Sequence, residues 1–525
     1  MDIKNVSVIP TVNEKQELFE LSNKIYESTL DEIVRLLNTY HTTSKSKRYW
    51  EIIVGVWSRM LIESVATRTL IVQSVLKNDK DTNIVVSPDL PLSYSPQCLQ
   101  NFQADLKTVS WNASVYNDIF EILNGKRQQN TFVKIPREII APPISKKFGP
   151  SYLSSTYLPR PKEFQLAIKL GSIPHRAKQI QLPITNSDEK TRELKLDISI
   201  NGSEIAHVVN SLALQYMPHS YLEEFSVLLD RISREYPKKP PRSIFTANRH
   251  LYDDVFNVWV ANATSQGSSL TLGQHGGYFG ISKYPSFAER HELSIADRYI
   301  TWGRKTSSRT VPGPILTTIG MNRKSIATGS KLVVVTEQLW SLPRSSFSDF
   351  DDSPTYVEHL ESCNKSLPGN IRNSAKIRLH PSDGITAKPM YDWWMQHIPG
   401  IEIDDCSDSF RKTLKSAKLI VVAHNSTTLP ETFSMNIPTL VSWKPEWVEI
   451  RDSAKPIFNK LEEVGIFHSD SDGLARHITA IWDDVGTWWQ SSDVRDARKL
   501  FCDSYARSMS QPLKFLRSLL KESNS

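Results

Sequence analysis

The sequence predicts an α/β protein in which two Rossmann-like domains face a cleft, with a helical hairpin added at the amino terminus. In both halves of the chain, short β-branched runs alternate with helical segments, which is the pattern of doubly wound parallel sheets. The length of 525 residues also exceeds what one hydrophobic core normally holds. We therefore expect amino-terminal helices at 1–80, a first domain at 81–310, a second domain at 331–485 and terminal helices at 486–525.

The composition argues against a nucleic-acid partner and against a membrane-spanning segment. The 63 Lys and Arg residues against 57 Asp and Glu leave a formal charge of +6, and the basic runs are short and scattered. Four cysteines without a CxxC pair favour a reduced, cytoplasmic protein. No apolar run approaches the roughly 20 residues that span a bilayer, so any contact with the inner membrane is expected to be peripheral.

The amino-terminal part is expected to form a helical hairpin. Apolar residues recur at helical spacing from about Glu14 to His41 and again from Tyr49 to Leu76, with a polar connector between them. The second segment begins with many large apolar and aromatic residues, which predicts that it is buried against the first sheet. Stacking of Trp50 or Trp57 on a sugar ring is the alternative role for these side chains.

The first domain carries a candidate catalytic histidine at the end of a predicted strand. The strand Ser269–Gly273 leads into Gln274, His275, Gly276 and Gly277. The two glycines permit a sharp bend or a close approach to a ligand, so the imidazole is expected to project from the strand end. Because an imidazole titrates near neutrality, His275 is a candidate acceptor for the proton of a hydroxyl nucleophile. The alternative is a histidine hydrogen-bonded within a tight turn.

Two acidic residues follow this turn. Glu289 and Glu292 could orient His275 or act as the base in its place, and Glu292 is kept with His275 as the catalytic candidates. The alternative for both carboxylates is an exposed helix start. The sequence leaves open which of the three residues takes the proton.

The second domain offers a phosphate-binding candidate at another strand end. Ile377–Pro381 is predicted to be a strand, and Pro381 bars helical geometry at His380. Residues two apart share a face of a strand, so Arg378 and His380 are expected to point the same way. A histidine can donate a hydrogen bond to a phosphate oxygen, and an arginine adds positive charge. Both side chains are therefore candidates for binding an anionic ligand.

A second polar run follows the predicted strand Leu419–Ala423. Glu431 falls at the start of a predicted helix, so Ser426, Thr427 and Thr428 lie where the free backbone N–H groups of a helix start gather. That geometry attracts phosphate. The sequence therefore predicts that the chemistry sits at the ends of these two strands.

These motifs resemble those of known transferases. His380-Pro381 resembles the His-Pro motif of bacterial sialyltransferases and Kdo transferases, which contacts the phosphate of a CMP-linked donor. Asn425–Thr428 with Glu431 resembles the Ser/Thr element of those families and of the CDP-glycerol polymerases of teichoic acid synthesis. Gln274–Gly276 is similar to the His-Gly motif that supplies the proton acceptor in those polymerases.

The order of the motifs over most of the chain resembles a family of transferases encoded in lipopolysaccharide O-antigen clusters. This wider resemblance includes Tyr49–Trp57, Gln274–Gly277, Asp297–Gly303 and His380-Pro381. Two α/β domains with opposed strand-end loops form the GT-B architecture of nucleotide-sugar transferases. The predicted fold is therefore GT-B-like.

The resemblance implies a glycosyltransferase that moves a sugar, a nonulosonic or ulosonic acid carried by CMP, onto a glycan or lipid-linked glycan acceptor of a surface polysaccharide. Glu431 would hold the ribose hydroxyls. No cofactor is implied beyond the nucleotide-sugar substrate. Asp404-Asp405 is the only weak candidate for an acidic metal-binding pair, so no metal is expected. The alternatives are a UDP-, GDP- or dTDP-sugar donor, a CDP-polyol donor, or a non-catalytic polysaccharide-assembly protein.

Overall fold

The computed structural model describes residues 12–78, 95–125, 149–172, 187–236, 239–321, 329–337, 353–380, 387–407 and 409–522. Pro381, which the sequence nominates beside His380, lies outside these ranges.

The strands are, in chain order, β1 Ser151–Leu153, β2 Ser243–Thr246, β3 Ser269–Gly273, β4 Arg298–Thr301, β5 Thr310–Pro312, β6 Lys331–Val335, β7 Ala375–Arg378, β8 Glu402–Asp404, β9 Ala417–Val422, β10 Thr439–Ser442 and β11 Phe467–His468. The α-helices are α1 Val12–Tyr40, α2 Lys47–Asn78, α3 Leu99–Asp105, α4 Val109–Leu123, α5 Arg160–Lys169, α6 Glu189–Arg192, α7 Glu204–Leu212, α8 Phe225–Glu235, α9 Asp254–Ser265, α10 Phe287–Ile295, α11 Ser353–Ser366, α12 Gly369–Arg372, α13 Ala387–His397, α14 Phe410–Ser416, α15 Thr428–Ser434, α16 Lys455–Glu463, α17 Ser471–Ile481, α18 Val485–Gln490, α19 Ser492–Tyr505 and α20 Pro512–Lys521.

These strands form two sheets in which every neighbouring pair is parallel. The first sheet has the order β1-β2-β3-β4-β5 and the second the order β11-β10-β9-β6-β7-β8. Helices lie in the crossovers, such as α9 between β2 and β3 and α11 between β6 and β7, because a parallel connection needs a dozen or more residues. The predicted α/β class with two parallel sheets is confirmed. All strands of a sheet end at one edge, where ligands bind in such folds.

In the second sheet, successive apolar residues of a strand pack on opposite faces. Val333 of β6 and Ile420 of β9 enter one apolar cluster, whereas their neighbours Leu332 and Leu419 enter another. Successive side chains of a strand point to opposite faces, so the sheet is covered on both sides. Each fully buried side chain of this kind contributes about 1.5–3 kcal/mol. This explains the nearly continuous apolar runs from which the strands were predicted.

The amino-terminal helices α1 and α2 pack against each other, and α2 also packs against α9 and α10. Trp50 and Trp57 are fully buried in the core of the first domain. The Trp57 indole Nε1 donates to the carbonyl oxygen of Tyr216 at 3.0 Å. The two indoles are therefore structural, and stacking on a sugar is excluded for them.

The carboxy-terminal helix α20 returns to the first sheet. Its residues Leu516, Leu519 and Leu520 join one apolar cluster with Phe245 of β2 and Ile300 of β4. This helix is amphipathic, with Lys514 and Arg517 on its exposed face. The end of the chain thus completes a core that begins in the first domain.

Candidate active site between the two sheets

The turn that carries His275 is anchored by Gln274. The Gln274 side chain donates from Nε2 to the carbonyl oxygen of Gly276 at 2.8 Å, and its Oε1 accepts from the backbone N–H of Trp302 at 3.0 Å. The backbone N–H of Gln274 also donates to the carbonyl oxygen of Ile300 at 2.8 Å. These bonds tie the turn to β4 and its following residues. His275 is therefore presented on a fixed backbone.

Glu292 orients the imidazole of His275. The Nδ1 atom of His275 lies 3.2 Å from Glu292 Oε1, and the His275 side chain keeps 12% of its exposure while Glu292 has none. His250 Nε2 lies 3.1 Å from the same carboxylate oxygen, and the Tyr299 hydroxyl donates to the other at 2.9 Å. Because Nδ1 lies beside Glu292, Nε2 is the ring nitrogen left for a substrate hydroxyl. The exposed-helix-start alternative for Glu292 is wrong, because this side chain is buried.

The charge of Glu292 is set by competing effects. Burial favours the neutral acid, but the imidazoles of His275 and His250 and their hydrogen bonds outweigh it, so the pKa of this carboxyl is lowered. An ionised carboxylate is thus placed behind the imidazole. The Glu292 side chain itself has no exposed surface.

Glu289 has a different partner, although it lies one helical turn from Glu292. Arg451 Nη2 donates to both Glu289 oxygens, at 3.1 and 3.2 Å, and the backbone N–H of Gly280 donates to Oε1 at 3.1 Å. Arg451 Nε also donates to the carbonyl oxygen of Ser282 at 2.8 Å. This carboxylate therefore joins the two domains through Arg451.

The strand-end loops of the two domains touch at Gly277. A Cβ atom added at Gly277 would overlap the backbone of Ser426 and Thr427. The Thr427 hydroxyl also lies 3.4 Å from the carbonyl oxygen of His275. The glycine is required because the second domain's backbone occupies the place of a side chain. Thr428 begins α15 directly after this contact. The turn that carries His275 therefore touches the loop that carries Ser426 and Thr427.

Arg378 has partners within the protein that the sequence did not predict. Its Nη1 donates to Asp404 Oδ2 and to the Thr413 hydroxyl, both at 2.7 Å, and the residue is 7% exposed. Asp404 remains ionised because the bonds from Thr413 and Arg378 outweigh burial and lower its pKa. The guanidinium is thus neutralised beside the sheet edge. A contact between Arg378 and a phosphate stays a prediction.

His380 lies beside a second histidine that sequence reasoning missed. His424 follows β9 and is buried, with Nδ1 3.9 Å from Glu337 Oε2 after β6. Burial lowers the pKa of His424; Glu337 opposes this shift and the nearby His380 adds to it. His424 is therefore neutral at neutral pH and able to donate a hydrogen bond. The sequence feature that could have identified His424 is its position directly after the apolar run Leu419–Ala423.

Glu431 is held from the first domain. The Thr317 hydroxyl donates to Glu431 Oε1 at 2.6 Å, and burial raises the pKa of this carboxyl against that bond. Nearby, the Ser434 hydroxyl lies 3.3 Å from that of Thr318. The segment after β5 thus packs on α15 of the second domain. The expected ribose contact of Glu431 stays a prediction.

Tyr157 is a further residue that the sequence offered no reason to select. Its ring meets the His275 imidazole edge-on, with centroids 5.9 Å apart, and its φ is +61°. Burial raises the pKa of its hydroxyl, as do the charges of Tyr252, Glu292 and Glu431. The phenol therefore lies within electrostatic reach of the carboxylates of both domains. Its left-handed backbone is visible only in the structure.

Within the described ranges, no group of three or more His, Cys, Asp and Glu is arranged to hold a metal ion. Metal independence stays a prediction. None of the described helices is both long and apolar enough to cross a bilayer.

The chain was compared with known proteins. No curated protein sequence matches it significantly. MurG from Acinetobacter baumannii is 11% identical, with a TM-score of 0.36 over 71% of this chain and 98% of that one. A UDP-N-acetylglucosamine 2-epimerase from Listeria monocytogenes, itself so named provisionally, is 10% identical, with a TM-score of 0.36 over 61% and 80%. The wall teichoic acid polymerase TagF is 9% identical, with a TM-score of 0.32 over 53% and 71%.

Similarities this low establish no shared activity. The sequence itself is more informative, because the model of the LIC12162 family transferases matches residues 5–520. That match extends from before α1 to the last helix. The chain therefore belongs to the LIC12162 transferase family.

Proposed function

We propose that this transferase is a glycosyltransferase that moves a sugar from a nucleotide donor to a surface-polysaccharide acceptor. The observation that carries the proposal is the pairing of His275 with buried Glu292, in a turn that touches Ser426 and Thr427 of the other domain. A proton acceptor next to the strand ends of a second α/β domain is the arrangement that transfer to a hydroxyl requires.

The reaction follows from this geometry. As the acceptor hydroxyl attacks the anomeric carbon, its proton passes to Nε2 of His275. The bond from the anomeric carbon to the phosphate oxygen breaks, and the nucleotide leaves with that electron pair. The resulting imidazolium is stabilised by Glu292, which lies 3.2 Å from Nδ1. General base catalysis of this kind contributes about 10²–10⁴-fold to the rate.

The donor phosphate is proposed to bind the second domain. His380 and neutral His424 are the candidate donors of hydrogen bonds to it, together with the hydroxyl and N–H groups of Ser426, Thr427 and Thr428. Arg378 supports this edge indirectly by fixing Asp404. The cluster can stabilise the charge of a leaving phosphate through hydrogen bonds.

The finer identity of the substrates rests on the motif resemblance. The proposed donor is a nonulosonic or ulosonic acid linked to CMP, and the acceptor a glycan or lipid-linked glycan of the O-antigen class. The protein would act in the cytoplasm, in peripheral contact with the inner membrane. UDP-, GDP- or dTDP-sugars and CDP-polyols are the competing donors.

A panel of nucleotides tests this proposal. A ligand that binds only the folded state stabilises it by about 2.7 kcal/mol at 100 times its Kd. We expect CMP to raise the melting temperature more than CDP, UDP, GDP or dTDP, and the matching nucleotide sugar to be turned over with a glycan acceptor. A larger shift with another nucleotide would replace CMP. Binding without turnover of any donor would favour a non-catalytic assembly protein.

A further inference from the structure

A cavity of about 920 Å³ is lined by none of the candidate active-site residues. Its walls come from α5, from the segment Pro314–Met321 after β5, and from residues 507–517, which include the first part of α20. The volume falls in the range of about 300–1,000 Å³ typical of ligand sites. The cavity is therefore large enough for a ligand of its own.

All the charged side chains that line this cavity are positive. Its lining includes five basic side chains and no acidic one: Lys162, Lys169, Arg507, Lys514 and Arg517. Within the described part of the chain, none of the five forms an ion pair. Other surface lysines differ, since Lys455 pairs with Asp452 at 2.7 Å and Lys499 with Asp503 at 2.6 Å. Uncompensated cations around a concave surface raise the local concentration of anions.

Hydrogen-bond donors accompany the charges. Ser508, Ser510 and Gln511 line the cavity just before α20, and the Gln511 side chain does not cap this ten-residue helix. The first N–H groups of a helix have no partner within it, so those of Leu513 and Lys514 are available at the cavity wall. Cations, hydroxyls and free amides together suit a group with several anionic oxygens.

We propose that this cavity binds a phosphate or diphosphate group, at a site separate from the nucleotide-donor site. A carboxylate has two oxygens and one charge, whereas a diphosphate offers more of both to five cations. The apolar residues Ile315, Ile319 and Leu513 in the same lining leave room for a non-polar part of the ligand. The phosphate can belong to a lipid headgroup or to a soluble phosphate ester, and the two sources are separable by experiment.

The cavity shares one wall with the candidate active site. Thr318 lines the cavity, while its neighbour Thr317 donates to Glu431 at 2.6 Å. The Ser434 hydroxyl lies 3.3 Å from that of Thr318. A ligand in the cavity therefore contacts the same segment that packs on α15.

The test compares two double variants of the full chain. Lys514→Gln with Arg517→Gln removes two exposed charges from the cavity, and Lys455→Gln with Arg495→Gln removes two exposed charges elsewhere. Inorganic pyrophosphate binding is measured by calorimetry at low salt. Sedimentation with phosphatidylcholine vesicles, with or without phosphatidylglycerol, gives the lipid arm. Any pyrophosphate bound at the donor site is common to both variants and cancels.

We expect the cavity variant to bind pyrophosphate on the order of tenfold more weakly than the control variant. Selective loss in the pyrophosphate arm assigns the site to a soluble phosphate group. Selective loss in the phosphatidylglycerol arm assigns it to a lipid headgroup. Equal binding by the two variants in both arms would overturn the proposal, whatever the outcome for nucleotide binding or turnover.

Discussion

The two strand-end regions of the molecule use charged residues in opposite ways. At the end of β3, the buried carboxylate of Glu292 is directed at His275, a residue with 12% of its side chain exposed. At the end of β7, the guanidinium of Arg378 is satisfied by Asp404 and Thr413 before any ligand arrives. The comparison teaches that the nearest partner of a charged residue decides where its charge is directed: Glu292 is paired with a candidate site residue, and Arg378 with Asp404 of the adjacent strand.

The largest expected effect tests the first region. His275→Ala removes the proposed base, so we expect kcat to fall by about 10²–10⁴-fold while nucleotide affinity is retained. Steady-state kinetics and calorimetry measure the two quantities. His207→Ala, at an exposed position on α7, is the control. A variant with nearly normal kcat would remove His275 from the mechanism.

The next effect tests the second region through stability. Arg378→Gln leaves Asp404 without its cation, and breaking a buried pair of this kind costs about 3–5 kcal/mol. We expect the free energy of unfolding, measured with urea, to fall by roughly the lower of these figures, because the pair lies near the sheet edge. Exposed Arg372→Gln on α12 is the matched control. Unchanged stability with weaker nucleotide binding would return Arg378 to the ligand site.

His380→Ala sharpens the contrast with Arg378. Loss of a hydrogen bond to a charged phosphate costs about 1.5–3 kcal/mol of binding free energy. We expect weaker binding of CMP by calorimetry, with the melting temperature of the free protein little changed. His397→Ala at the end of α13 serves for comparison. If the affinity for CMP, CDP and UDP is unaffected, His380 does not contact the phosphate.

A smaller effect concerns pH and Glu292. The pKa of Glu292 is lowered in the folded protein, so its stabilising contribution is complete above the unfolded value of about 4.3 and is lost as the pH falls through the folded value. Glu292→Gln removes this dependence. Urea unfolding between pH 7 and pH 3 is expected to show a steeper loss for the wild type than for the variant, and Glu462→Gln is the exposed control. Parallel curves would contradict an ionised Glu292.

The last prediction is that removal of metal ions has no effect on turnover. The charge of the donor phosphate is proposed to be stabilised by hydrogen bonds from His380, His424 and hydroxyl groups, so EDTA should leave turnover unchanged. Rates are compared before and after chelation, with Mg²⁺ or Mn²⁺ added back. Activity that is lost on chelation and restored by either ion would disprove the metal-free prediction.

Local sequence patterns predicted much of the framework. The strand at Ser269–Gly273 has the predicted bounds, because an apolar run ending in glycine defines it locally. The helices predicted at Glu14–His41 and Tyr49–Leu76 are present as Val12–Tyr40 and Lys47–Asn78. The family match confirms a transferase. The identity of donor and acceptor is not contained in these patterns.

The candidate site was predictable only where the partner lay nearby in the sequence. His275 and Glu292 were predicted together because His275 lies in the turn after β3 and Glu292 lies in the next helix, α10. The partner of Arg378 was not, because Asp404 is supplied by the adjacent strand β8 and strand order cannot be read from one sequence. The partner of Glu289 was not predicted either, because Arg451 lies 162 residues further along the sequence. Tyr157 has no motif, and its place against His275 depends on a left-handed backbone after β1.

The return of α20 to the first sheet limits how the molecule can be taken apart. Leu516, Leu519 and Leu520 cover Phe245 and Ile300 from a helix that follows the entire second sheet in the sequence. A cut between the two domains would therefore leave the amino-terminal fragment with an exposed apolar surface. The carboxy-terminal fragment would carry a helix without the surface on which it packs. To study either domain in isolation, this last helix would have to be fused to the first domain, which it covers.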